Sequence, residues 1–132
     1  MTNTASILVE IPAGELIDKI TILEIKSERI SDVQKLSNIK AELQTLAATR
    51  DQAMAPSADL SGLSAKLKAV NEKLWVIEDE IRDCERVRDF GAKFIELARA
   101  VYVTNDERAN LKREINLLLG SRLIEEKSYA PY

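Results

Sequence analysis

The sequence predicts an all-α fold, an elongated antiparallel helical hairpin or bundle of about five helices. Three observations lead to that class. Glycine (4) and proline (3) are scarce among 132 residues, so few positions interrupt a helix. A long stripe of apolar residues at steps of three and four runs from Leu60 to Cys84. Elsewhere, capping signals and Pro or Gly breaks divide the chain into pieces of helix length. One short strand ahead of the first helix is the expected exception.

That strand is Ser6–Ile11, where Ile7, Val9 and Ile11 fall on one side at period two. Pro12-Ala13-Gly14 then punctuates the chain, and a first helix is expected from about Glu15 to Ile30. Its acids Glu15 and Asp18 lie near the positive end of the helix dipole. The seam is Leu16, Ile20, Leu23, Ser27 and Ile30, while Ile22 and Ile25 fall well away from it. A helix that is apolar on two sides needs burial on both. The β-branched run Ile20–Ile25 leaves a strand as the competing reading there. Ser31-x-x-Gln34 reads as a capping box that opens a second helix, from Asp32 to about Met54, striped by Leu36, Ile39, Leu43 and Leu46. Ala55–Ala58 is a short loop of the kind that joins antiparallel neighbours.

The third helix carries the strongest signal. Leu60, Leu63, Leu67, Val70, Leu74, Ile77, Ile81 and Cys84 form an unbroken heptad seam. From Asp59 to about Arg88 such a helix spans ~45 Å at ~1.5 Å per residue. A compact globule of this chain length has a diameter of only ~36 Å, so the helix stands out from a sphere or is covered by a partner. Trp75 and Val76 lie off the seam and suggest a second packing face.

Asp89-Phe90-Gly91 breaks the chain. Phe94, Leu97, Ala98 and Val101 stripe a fourth helix. Thr104-x-x-Glu107 reads as another capping box, opening a fifth helix with Leu111, Ile115 and Leu118. Gly120 sits just past its end, where φ > 0 is usual. In the stretch Ser121–Tyr132, Leu123 and Ile124 can pair with Ile7–Ile11, or the tail is loose. The whole of 1–132 reads as one helical domain without internal repeats.

Two stretches resemble a family of small uncharacterised bacterial proteins, a domain of unknown function. The first is Gly14-Glu15-Leu16-Ile17-Asp18-Lys19-Ile20-Thr21-Ile22-Leu23-Glu24-Ile25-Lys26, with Lys35–Asn38 after it. The second is Leu97-Ala98-Arg99-Ala100-Val101-Tyr102-Val103-Thr104-Asn105-Asp106, continuing through Leu111–Asn116 to Glu125–Tyr129. With Leu74-Trp75 and Phe90-Gly91 the resemblance covers most of the chain. It implies no assigned activity, so it transfers no site.

Composition narrows the chemistry. There is no histidine, which removes Ser-His-Asp and Cys-His nucleophile pairs, His-ligated zinc and Glu-x-x-His di-iron sites. One cysteine, Cys84, allows no internal disulfide and reads as a small hydrophobe in the seam. The 19 basic residues are interleaved with 22 acidic ones, without the concentrated basic face that nucleic-acid binding needs. No apolar run approaches the ~18 residues of a membrane span, and no basic segment with an apolar core precedes Pro12. The expectation is a cytoplasmic protein that uses no cofactor or metal and binds neither nucleic acid nor membrane.

Several polar groupings invite a functional reading beside a plain one. Glu15 and Asp18 share a face with Lys19 and could bind Mg²⁺ or a cationic group; the plain reading is a favourable first turn with a Glu15–Lys19 pair. Glu80-x-x-Asp83 has the spacing of an Mg²⁺-binding carboxylate pair, or is a solvated face beside a Glu78–Arg82 ion pair. Arg82, Arg86, Arg88, Arg99, Arg108 and Arg113 could line a dicarboxylate pocket of the all-helical mutase kind, or alternate with acids on the surface. Asn105 and Asp106, at the expected start of the fifth helix, could hold an anion or serve only as caps. The candidate ligand contacts are therefore Glu15, Asp18, Lys19, Asn105, Asp106 and Arg113, and the candidate interface residues are Ile22, Ile25, Trp75 and Val76. The expected function is a non-enzymatic protein–protein interaction module that self-associates as a dimer and can serve a second protein. The alternative is a small histidine-free enzyme, mutase-like or an Mg²⁺-dependent nucleotide hydrolase.

Overall fold

The computed structural model describes residues 6–132, so the expectation of no leader rests partly on residues 1–5, which lie outside it. Four helices follow one another: α1 (Ala13–Arg29), α2 (Val33–Ala53), α3 (Ala58–Val87) and α4 (Ala92–Leu118). The all-α expectation holds, with four helices rather than five.

The long third helix forms as its seam requires. Ser57 caps it, the side-chain oxygen accepting from the Leu60 N–H at 3.0 Å. It ends at Arg88, whose φ of 58° lies in the left-handed region. The Asp89 N–H reaches back to the Cys84 carbonyl at 2.9 Å, the wider bond of a Schellman turn. The end of α4 repeats that geometry with the residue it favours: Gly120 has φ of 64°, and the Ser121 N–H bonds the Asn116 carbonyl at 2.8 Å.

Between those turns α3 and α4 pack along their length as an antiparallel hairpin. Two apolar clusters fill it. At the base, Ile17 of α1 joins Leu60, Leu67 and Ile115, with Leu63, Leu111 and Met54 packed around them. Near the tip, Ile77, Cys84 and Leu97 gather Ile81, Phe94 and Val101, all from α3 and α4. Helix α1 packs against α2, α3 and α4, whereas α2 packs against α1 alone. That is why α1 is apolar on two sides. Leu16, Ile17, Ile20, Leu23 and Ile25 are all buried, so Ile25 belongs to the core of the chain and drops out as an inter-subunit contact.

Three local expectations are corrected. The Thr104 capping box does not cap: α4 runs straight through it, with Thr104 buried in mid-helix. The positions 94, 97, 101, 104, 108, 111, 115 and 118 continue one seam at steps of three and four. Breaking the helix at Thr104 would forfeit backbone bonds for one side-chain cap and split that seam. The cap of α2 is Asp32, whose Oδ1 accepts from the Lys35 N–H at 2.9 Å, not Ser31. Ser6–Ile11 has no regular secondary structure and pairs with no strand, and among the described residues there is none. A strand needs a ladder partner, and the stretch after Ser121 offers this segment an ion pair instead, Arg122 with Glu10. That tail has no helix or strand and is tied to α4 by side chains.

Candidate functional site

Polar residues collect where α1 crosses the hairpin, between the two apolar clusters. Helix α1 supplies Glu15, Asp18 and Thr21, α3 supplies Asn71, and α4 supplies Arg108, Lys112 and Asn116. Asp18 is 1% exposed. Arg108 grips it with two donors, Nε to Oδ1 at 2.9 Å and Nη2 to Oδ2 at 2.5 Å. Asn71 Nδ2 donates to the same Oδ1 at 2.9 Å and to Thr21 Oγ1 at 3.0 Å. Thr21 in turn donates to the Asp18 backbone carbonyl at 2.8 Å. One turn along α4, Lys112 Nζ lies 2.8 Å from Glu15 Oε1 and 3.0 Å from Glu125 Oε1.

Alternation of charge sets the titration of these groups. Burial pushes the Asp18 carboxyl up, but the bonds from Arg108 and Asn71 and the charges of Arg108 and Lys112 outweigh it and hold it below the ordinary carboxylate range. Burial pushes the Lys112 amine down, and Glu15 and Glu125 more than reverse that. The bond to Asp18 raises the Arg108 guanidinium despite its partial burial. Asp18 is thus held in its ionised form, with both carboxylate oxygens engaged by Arg108 and Asn71. The arrangement does one thing well: it clamps three helices in a single register.

The start of α1 is locked to the same place. Pro12 precedes the helix and provides no side-chain cap. The Gly14 N–H instead donates to Asn116 Oδ1 at 2.6 Å, and the Ala13 N–H to Ser121 Oγ at 3.3 Å. This cap comes from about a hundred residues away, which is why α1 starts two residues before the expected Glu15. Gly14 permits the approach, because a Cβ there would overlap the Lys112 backbone carbonyl.

Residues 7–131 match the family of unknown function DUF6165. The chain belongs to that family. No curated protein and no solved structure matches it. Within this family member, the stretches Gly14–Lys26 and Leu97–Asn116 are the two that meet at the clamp.

The remaining candidates are dispersed. Glu15 and Asp18 face separate cations, Lys112 and Arg108, rather than each other. Among the described residues no three carboxylate or thiol groups are placed to hold a metal. Lys19 is exposed and 3.9 Å from Glu15, the plain i, i+4 pair. Asp106 accepts from the Tyr132 hydroxyl at 2.5 Å and lines, with Asn105 and Tyr102, a cleft under the tail. Arg113 pairs with Glu126 at 2.9 Å. The arginines of the supposed dicarboxylate pocket do not converge: Arg108 holds Asp18, Arg82 pairs with Glu78, and Arg86 with Asp83. Ile22 and Trp75 are half-buried and Val76 is exposed. Sequence reasoning missed Asn71, Thr21, Lys112 and Asn116, and it grouped Arg108 with the wrong companions. The available signal was polar residues standing on or beside an apolar seam, at 71, 104, 108 and 112.

Proposed function

We propose that the chain is a helical protein–protein interaction module that associates with a second copy of itself. The observation that carries this reading is the run Ile7-Leu8-Val9. Three consecutive apolar side chains are 84%, 96% and 72% exposed on a segment that belongs to no helix or strand. Such a run costs solubility unless something covers it. Leu117 and Leu118, exposed at the end of α4, add to the uncovered area, as do Val76 and part of Trp75 and Ile22.

The magnitudes favour a dimer. Full burial of each such side chain is worth ~1.5–3 kcal/mol. Six of them across a symmetric contact contribute on the order of 9–18 kcal/mol, against an association cost of ~4–15 kcal/mol. The polar residues that suggested a ligand are meanwhile engaged within the chain at the clamp. A reduced, buried Cys84 suits the cytoplasm, where the reading places the protein.

Light scattering over a micromolar concentration series tests the proposal, with a mass twice the 14.8 kDa of the protomer expected. A protomer mass throughout would sink it. Thermal-shift scans with Mg²⁺, nucleotides and small dicarboxylates address the enzyme alternative, which predicts a raised melting temperature for at least one of them.

A further inference from the structure

We infer that the two copies are joined by exchange of arms: Ile7, Leu8 and Val9 of each lie in a groove between the start of α3 and the end of α4 of the other. This rests on the self-association reading and names the surfaces that carry it. The groove holds about 610 Å³ and is walled by Gly62 and Leu63 on one side and Leu117 and Leu118 on the other. Both leucines of α4 are exposed. At Gly62 a Cβ would meet nothing within 4 Å, so the wall is open there. Asp59, Lys66 and Glu114 line it as well, so its apolar part is a strip formed by Leu63, Leu117 and Leu118. An uncharged apolar tripeptide fits such a strip, and the arm is one.

The arm and the groove lie at the same end of the molecule. Arg122 pairs with Glu10, Ser121 accepts from Ala13 and Asn116 from Gly14, which root the arm beside the last turn of α4. Leu117 and Leu118 belong to that turn. Held there, Ile7–Val9 stay exposed and do not enter the groove of their own chain. Fully extended, the chain from Ile11 back to Ile7 reaches roughly 13 Å at ~3.3 Å per residue. A two-fold axis close to this end puts each arm within reach of the partner's groove and buries both unpartnered surfaces at once. The contact is isologous and closes on itself, so it stops at two copies.

The test uses the full chain and two variants that leave the core untouched. Leu8→Asp spoils the arm, and Gly62→Phe fills the groove. Each is expected to keep its helical circular dichroism and to dimerise at least ~tenfold more weakly than the unmodified chain. Mixed together, the two restore a dimer, because the intact arm of the Gly62→Phe chain meets the intact groove of the Leu8→Asp chain. An unmodified chain that stays monomeric overturns the self-association reading itself. A dimer that survives either substitution, or a mixture that shows no recovery, leaves self-association standing and overturns the arm exchange.

Discussion

The base and the tip of the α3–α4 hairpin continue one seam, yet they differ in how well they exclude water. At the base, Leu67 and Ile115 are 0% exposed and Ile17 is 2%, with only Leu60, in the first turn of α3, at 7%. At the tip, Ile77, Cys84 and Leu97 keep 5–8%. The base has α1 as a third wall, whereas the tip cluster is drawn from two helices only. Two rods meet along a line, and a third is needed to close the sides. Between the two regions stands the Asp18–Arg108–Asn71 layer, which fixes where α1 crosses. The lesson is that the dry core depends on a polar contact that sets the position of the third helix.

The largest test strikes that contact. Asp18→Ala leaves Arg108 without its carboxylate and should cost ~3–5 kcal/mol in urea unfolding. Its pH signature has a definite sign. The folded-state carboxyl titrates below its unfolded value, so its stabilisation is present above the ordinary carboxylate range and fades as pH falls through the folded-state pKa. In Asp18→Asn the acid limb of the stability profile should flatten; an unchanged limb would place the acid sensitivity elsewhere.

The next test separates base from tip. Leu67→Ala should cost ~3–4 kcal/mol and Leu97→Ala nearer ~2, since a cavity beside solvent collapses or fills more easily. Equal losses would show that the tip is as tightly closed as the base. Gly14→Ala probes the approach of α1 to α4 and should cost ~1–3 kcal/mol, because its methyl group meets the Lys112 backbone. The smallest effect goes the other way. Arg88→Gly relieves a left-handed residue at the tip and should stabilise by ~0.5–1 kcal/mol, read as a raised Tm.

Much of the fold was legible in local pattern. The helices around Ile20, Ile39 and Leu67 begin and end within about two residues of where periodicity and capping residues put them. The division of α4 was misread for a specific reason: Thr104-x-x-Glu107 has the spacing of a capping box, whereas Thr104 and Arg108 occupy positions of a continuous seam. Arg108 is polar because Asp18 lies opposite it. Thr104 is buried with its hydroxyl unpartnered, and nothing in the structure explains why it is not valine. Of the candidate site, Asp18 was marked as a residue of interest, but its partners lie 53 and 90 positions away. No single-chain periodicity connects positions so far apart.

By itself the sequence determined that the chain is helical, that Leu60–Cys84 forms one continuous seam, and that the last helix stops just before Gly120. Each follows from interactions within a few residues: turn periodicity, missing β-breaks, and the backbone freedom of glycine. Tertiary structure alone decided that Ser6–Ile11 lacks a ladder partner, that α1 is capped by Asn116 and Ser121, and that Asp18 is held by Arg108 and Asn71. Those outcomes depend on which distant groups come within 3 Å of one another once the three helices pack, and helix packing has no local signature.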